Sequence, residues 1–417
     1  MKLRQIRVDG YKNLVNCVVD IGDFNVLVGP NNSGKSNLME VFHFLDLLCF
    51  GSDKHRSMML HGVRGRKAVA QTILDSHGGK PARIGVNWDV EAVGKAWNVD
   101  YEMEMEFMGL EHGKGGICGE ILTATPLDRR GPRTQYIMRR EKSLKVAEQS
   151  YKKTSHGITR DNSSLPAIKA LYPDYAKLPP EFPVFIESLM RTASLACLAL
   201  SPSGIRSQTG TEVAIAGSRI SEFDPLVLID DLRSNKDGYE LFQEIVADIL
   251  GFGYIHLDTK DLRLPAEAKR KGEVFKRERN LFLGRTKQDV SWLEMCSDGT
   301  LIVVALIAAY LSDADNRPIL LVEELENCLH PAAIKKLIRF FQDNSDRWPV
   351  LITTHSPYVL NCVDPEDVRV AVVDETGAAH VESVRNNKEL RDYLKAGLMD
   401  FGDLLESNFE EVLGEKR

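Results

Sequence analysis

Several large classes of protein are excluded by what this sequence lacks. Its seven cysteines stand singly at positions 17, 49, 118, 197, 296, 328 and 362, with no C-x-x-C pair. That spacing suits neither a zinc site nor a disulfide framework, and the odd count fits reduced thiols in a cytoplasm. Apolar runs are short: the longest, Leu301 to Leu311, falls well below the ~20 residues that a membrane-spanning helix needs. The N-terminal MKLRQIRVDGYKNL has no apolar signal core, so a soluble cytoplasmic chain with no membrane partner is expected. No heptad run or internal repeat is visible, which excludes a long coiled-coil arm. An excess of positive charge is missing too. Lys and Arg number 53 against 60 Asp and Glu, and the net −7 argues against nucleic-acid binding over the whole surface.

What remains is an ordinary globular composition, 43% hydrophobic and 27% charged, in 417 residues. That length holds two domains, or one large head with an insertion. Cys17, Val19 and Ile21 alternate with polar neighbours as in a half-buried strand, and Phe24 to Val28 reads as a buried one. Leu38, Val41, Phe42, Leu45 and Leu48 recur at helical spacing from Ser36 to Phe50. Ile84 to Val90 and Val99 to Phe107 alternate as antiparallel strands; Asp100, Glu102, Glu104 and Glu106 give the second an anionic face, and its methionines read as core. Residues 160–290 carry Pro-broken helical patterns at Leu165–Leu171, Phe185–Leu200 and Tyr239–Leu250. From 291 onward helix and strand alternate (Leu301–Leu311, Ile319–Val322, Ala332–Phe341, Val350–Thr353), as in a mainly parallel sheet covered on both faces. A hairpin, Val368–Val373 and Ala379–Val384, and an acidic helical tail close the chain.

Four motifs carry chemistry. Gly29-Pro30-Asn31-Asn32-Ser33-Gly34-Lys35-Ser36 is a G-x-x-x-x-G-K-S loop between a buried strand and a helix. Its glycines let successive N–H groups face phosphates, with Asn31, Asn32, Ser33 and Asn37 beside them; Lys35 supplies a cation and Ser36 a hydroxyl for Mg²⁺. Pro318 to Val322 is an apolar strand ending in Glu323 and Glu324. The first carboxylate is a candidate Mg²⁺ ligand, although Asp is usual there, and the second a candidate base for water. Cys296-Ser297-Asp298-Gly299-Thr300 opens an apolar helix with a capping hydroxyl and exposed N–H donors suited to a γ-phosphate, and also reads as an ordinary cap on a buried helix. Thr353-Thr354-His355-Ser356-Pro357 closes a strand with a histidine able to sense that phosphate.

Together and in this order, these motifs resemble the ABC-type ATPase heads of the SMC, RecF and OLD families. Glu-Glu-Leu-Glu-Asn-x-Leu-His-Pro (323–331) looks most like the stand-alone ATPases of the OLD-like and RecF-like group, and Gly10-Tyr11-Lys12-Asn13-Leu14 stands where that group has its turn. The resemblance implies an α/β P-loop head with a mainly parallel core sheet, an antiparallel β subdomain and a helical insertion. It suggests segments 1–158 (N-terminal ATPase lobe), 159–290 (mainly helical insertion) and 291–417 (C-terminal lobe). It also implies ATP and Mg²⁺ as ligands, Glu324 and His355 as catalytic residues, and a homodimer, open to higher assembly. In that dimer Ser297, Asp298 and Gly299 would contact the partner's ATP, with Glu326 to His330 at the interface and Gln71 a candidate Q-loop residue. After His355 only 62 residues remain, too few for the TOPRIM nuclease domain of OLD proteins. The resemblance therefore suggests an ATPase that controls a separate nuclease or toxin in bacterial anti-phage defence.

The rival reading is a repair clamp that closes on duplex DNA. Residues 129–153 hold nine Lys and Arg against two acids, with Arg139, Arg140 and Lys142 the candidate contacts, and 269–287 add eight more basic residues. No aromatic interleaving beyond Tyr136 and Tyr151 marks a single-strand platform.

Overall fold

The computed structural model describes residues 1–50, 81–107, 115–128, 133–140, 143–146, 149–152, 179–193, 197–198, 212–213, 225–262, 276–312, 319–345 and 349–384. Gln71, the pattern at Leu165–Leu171, Lys142 and the acidic tail from Asp400 to Glu415 lie outside them. The chain divides into two compact units. Met1–Cys197, Asp315–Glu323 and Asn344–Arg417 form one; Leu198–Ala314 and Glu324–Asp343 form the other.

Two sheets build the first unit. β1 (Lys2–Asp9), β2 (Cys17–Asp20), β4 (Ala82–Ala92), β5 (Lys95–Phe107), β6 (Gly115–Pro126), β7 (Thr134–Arg140), β8 (Ser143–Val146) and β9 (Gln149–Lys152) pair antiparallel in the order β2-β1-β4-β5-β6-β7-β8-β9. Alternation sets which face is buried: Ile84, Val86, Trp88, Val99, Tyr101, Met103 and Met105 point inward. On the other face the acids of β5 meet arginines. Asp100 accepts from Arg7 at 2.8 Å and Arg133 at 2.6 Å, and Glu104 from Arg83 at 2.9 Å.

The second sheet has the order β10-β15-β16-β3-β17-β18: β3 (Phe24–Val28), β10 (Cys197–Leu198), β15 (Leu320–Val322), β16 (Val350–Thr354), β17 (Val368–Val373) and β18 (Ala379–Ser383). β15, β16, β3 and β17 run parallel and β18 returns antiparallel, the mainly parallel core that the motif order implied. α1 (Lys35–Phe50) follows β3, and its Leu38, Met39, Val41, Phe42, Phe44 and Leu45 all join one buried cluster with both sheets. α2 (Phe182–Ala193) adds Phe182 and Phe185 to that cluster. Its Ser188 Oγ takes a hydrogen bond from Trp88 Nε1 at 2.9 Å, which satisfies the indole N–H inside the core.

In the second unit α5 (Asp298–Leu311) is apolar on every side, and all twelve residues from Thr300 to Leu311 are buried. Such a helix must be surrounded. It packs on α3 (Pro225–Arg233) and α4 (Lys236–Leu250), while Tyr310 meets Phe340 and Phe341 of α6 (Pro331–Asp343) edge-on. α4 covers the helical pattern read at Tyr239–Leu250, whereas α3 was not read from the sequence. The same segment also forms an antiparallel sheet that the pattern reading missed: β11 (Glu212–Val213), β12 (Tyr254–Leu262), β13 (Lys276–Thr286) and β14 (Asp289–Trp292). Charged residues fill many of its positions, so period-two alternation was diluted.

Candidate nucleotide site

The G-x-x-x-x-G-K-S loop joins β3 to α1, and its shape admits only its own residues. Asn32 (φ 65°) and Gly34 (φ 92°) are left-handed, a region in which Asn and Gly are the tolerated residues. A Cβ on Gly29 would stand 2.3 Å from Ala371 O and 2.7 Å from Ser33 Oγ; one on Gly34 would stand 2.9 Å from Ala379 Cβ. The loop is thus clamped against β17 and β18, with its backbone curled into a cradle. Ser33 and Lys35 are buried, while Asn31, Asn32 and Ser36 are exposed. Lys35 Nζ donates to Gly29 O and Pro30 O, both at 2.8 Å, so the cation already staples the loop.

Asn13 is a part of the site that motif reading missed. Its Nδ2 donates to Asn32 O at 3.1 Å, its Oδ1 accepts from Asn37 Nδ2 at 2.7 Å, and its carbonyl accepts from Ala379 N at 2.6 Å. One side chain thereby ties the cradle to the first turn of α1. Nothing in a single sequence marks it apart from its place in the Gly10–Leu14 turn. In that turn Tyr11 is buried edge-on against Phe44 at 5.2 Å, and Lys12 pairs with Glu40 of α1. Burial, with the Glu40 carboxylate nearby, pushes the Tyr11 phenol well above its usual range.

Parallel register gathers the other candidates of this unit. Val322 lies level with Ile352, and Ile352 with Val26, so β15, β16 and β3 end side by side. Glu323 after β15, His355 after β16 and Gly29 after β3 therefore share the carboxyl edge of the sheet, where open α/β sheets bind ligands. Glu324, next in the chain and the first residue of a second-unit segment, has a left-handed conformation (φ 48°) unusual for a glutamate. Asn327 Nδ2 donates to Glu324 Oε2 at 2.6 Å and Asn327 N to Glu324 O at 2.9 Å, fixing this turn. Asn327 lies within the Glu326–His330 segment that the resemblance placed at an interface; its tie to Glu324 was not read from the sequence.

Ser297, Asp298 and Gly299 belong to the second unit. Ser297 caps α5: its Oγ accepts from Thr300 N at 3.3 Å, and its φ and ψ of −63° and 156° are those of an N-cap. Ser297 and Asp298 are exposed. A Cβ on Gly299 would stand 2.6 Å from Cys328 O, so glycine lets this helix start press against the 326–330 turn. His330 caps α6 there, its Nδ1 accepting from Ala332 N at 3.2 Å.

One sequence expectation is corrected. Arg139 is not a DNA contact: its side chain is fully buried and donates to the equally buried Glu120 at 2.7 Å, with Tyr101 OH on the other Glu120 oxygen at 2.7 Å. Alternation on β7 turned this arginine inward, which a count of basic residues does not register. No side-chain placement is described for Arg140.

Comparison with known proteins agrees with the architecture. Residues 1–160 match the AAA ATPase domain family, and residues 221–361 match an AAA domain family described as a candidate AbiEii toxin of a Type IV TA system. Among solved structures, an SMC head bound to the C-winged helix domain of ScpA is 14% identical, with 92% of this chain and 97% of that one covered at a TM-score of 0.52. An SMC head domain from Thermotoga maritima is 14% identical (92% and 99% covered, TM-score 0.41), and one derived from Pyrococcus furiosus 13% (94% and 99%, 0.42). No curated protein matches the chain. The fold is that of an ABC-type P-loop head. Two AAA-domain families thus match separate parts of the chain.

Proposed function

We propose that this chain is an ATP-hydrolysing, dimeric switch that controls a separate effector, a nuclease or toxin, in bacterial anti-phage defence. The observation that carries the ATPase reading is the meeting of the Gly29–Ser36 cradle, Glu323 and His355 at the ends of three adjacent parallel strands. A cradle that excludes a Cβ at both glycines fits a chain of phosphates, which backbone N–H groups and the start of α1 would hold. Lys35 would exchange its loop carbonyls for phosphate oxygens. Ser36 and Glu323 are the residues that would hold Mg²⁺, which supplies charge neutralisation at the β- and γ-phosphates. In hydrolysis the water oxygen bonds to the γ-phosphorus and the bond to the ADP oxygen breaks. The water proton passes to the Glu324 carboxylate, and ADP and phosphate leave. His355 donates to the γ-phosphate and registers its departure.

The exposed Ser297 and Asp298 at this helix start support a role toward a second copy, because a site for phosphate on the surface suits a nucleotide held elsewhere. The matched family's toxin–antitoxin description supports a conflict system in the cytoplasm. Among the described residues no helix is long and apolar enough to cross a membrane. The duplex-clamp reading is weaker with Arg139 buried. The test is light scattering with ATP and Mg²⁺. Glu324→Gln keeps the shape but not the base, so it should accumulate as a nucleotide-bound dimer without releasing phosphate; Ser297→Arg should stay monomeric. Normal phosphate release by Glu324→Gln would remove Glu324 from the mechanism, and ATP-dependent dimerisation of Ser297→Arg would remove the signature from the interface. Co-purification with the product of the neighbouring gene, wild type against Lys35→Ala, tests the effector.

A further inference from the structure

The sheet of the second unit has two unlike faces. Ile255, Leu257, Leu281 and Leu283 are buried on one, toward α3 and α4. Strand alternation puts Tyr254 and His256 of β12, Phe282 of β13, and Val290 and Trp292 of β14 on the other, where His256 lies opposite Phe282 and Phe282 opposite Trp292. The rings form two close pairs, Tyr254–His256 and Phe282–Trp292, each with centroids 6.1 Å apart. Trp292 is 51% exposed and Val290 38%, high for apolar side chains on a helix-backed sheet. Lys287 Nζ stands 5.9 Å from the Tyr254 ring centre, and Lys260, exposed on the same face of β12, lies 3.8 Å from Asp258.

We propose that this face is a stacking platform for a single-stranded polynucleotide. Flat accessible rings accept the faces of bases, and cations at their margin accept the phosphates between them. A duplex hides its base faces, so rings give it no advantage. Charge points the same way. Among the described residues of 254–262 and 276–292, six Lys and Arg stand against four Asp and Glu, with Arg279 buried against Asp230, inside a chain whose net charge is −7. A polyanion with exposed rings complements that surface better than an acidic protein chain without them. The sequence concealed this because the four rings come from three strands separated by charged stretches of sequence.

The test is fluorescence anisotropy on the full-length chain without nucleotide, using 20-mers of labelled single-stranded DNA, single-stranded RNA and duplex DNA at low salt. Single strands should bind, with affinity falling steeply between ~50 and ~200 mM salt. Trp292→Ala should weaken binding about five- to 150-fold, the loss of one stacked base, and Trp292→Phe should restore most of it. Lys287→Glu should weaken it and make its salt dependence shallower. Lys35→Ala should bind single strands as wild type does, so failure here is separable from failure of the ATP reading. DNA and RNA arms tell the two sources apart. No single-strand binding at low salt, equal binding by Trp292→Ala, or preference for duplex would overturn the proposal. Loss of effector co-purification in Trp292→Ala with single-strand binding intact would overturn it in favour of a protein-docking face.

Discussion

Lys35→Ala is the most informative single change, because the geometry predicts two separable effects. In the structure the ammonium is buried and donates to Gly29 O and Pro30 O at 2.8 Å. Removing it leaves two loop carbonyls without their donor before any nucleotide arrives. At about 1–3 kcal/mol for an abandoned buried acceptor, partly relieved by water at this exposed loop, the protein without nucleotide should lose about 1–3 kcal/mol of stability. In the bound state a charge-assisted contact to phosphate disappears, worth about 1.5–3 kcal/mol, or roughly ten- to 150-fold in affinity. Denaturant unfolding without nucleotide reads the first effect, and titration with a fluorescent ATP analogue reads the second. Lys35→Met separates them further: it keeps most of the stem's packing but neither the charge nor the donors, so its affinity should be as poor as that of Lys35→Ala. Wild-type affinity in both variants would refute the assignment of the cradle to phosphate. Lost affinity with unchanged stability would refute only the stapling role.

Two further predictions concern the body of the protein. Arg139→Ala strands the buried Glu120 carboxylate beside Tyr101 and should cost about 3–5 kcal/mol in denaturant unfolding, whereas a surface arginine would cost almost nothing. Alkaline pH should destabilise the fold. Burial raises the Cys17 thiol to about 12 from 9.0 and raises the Tyr11 and Tyr136 phenols, Tyr136 also through its hydrogen bond to Glu181. Above pH ~9 the unfolded chain therefore releases protons that the native chain retains, and stability should fall by about 1.4 kcal/mol per pH unit for each such group, until its folded-state value is passed. Thermal melts from pH 8 to 11 read the slope, and Cys17→Ala should reduce it near pH 10; a flat profile would contradict the burial of these groups.

Much of the site was written locally. A P-loop needs glycines, a lysine and a hydroxyl at fixed offsets between strand and helix, because one continuous turn of backbone makes the cradle. The five-residue run Phe24–Val28 and the helix beginning at Lys35 carry that context within a few residues. Glu323 and His355 were legible for a similar reason: each ends an apolar strand, and strands alternating with helices imply a parallel sheet whose ends align. Asn13, by contrast, serves three partners, Asn32, Asn37 and Ala379, the last 366 residues further along the chain, and no local pattern announces that. The same holds for Arg139. Its composition suggested a solvated cation, but its place on β7, opposite Glu120 on β6, made it half of a buried pair. The Tyr254–Trp292 face went the same way: hydrogen bonding across three strands brought together rings that the sequence keeps apart. Motifs set by contiguous backbone belong to the sequence itself, because short-range sterics dictate them. Which side of a strand faces water, and which distant side chains meet there, was decided only when the sheets closed and every polar group had to find a partner.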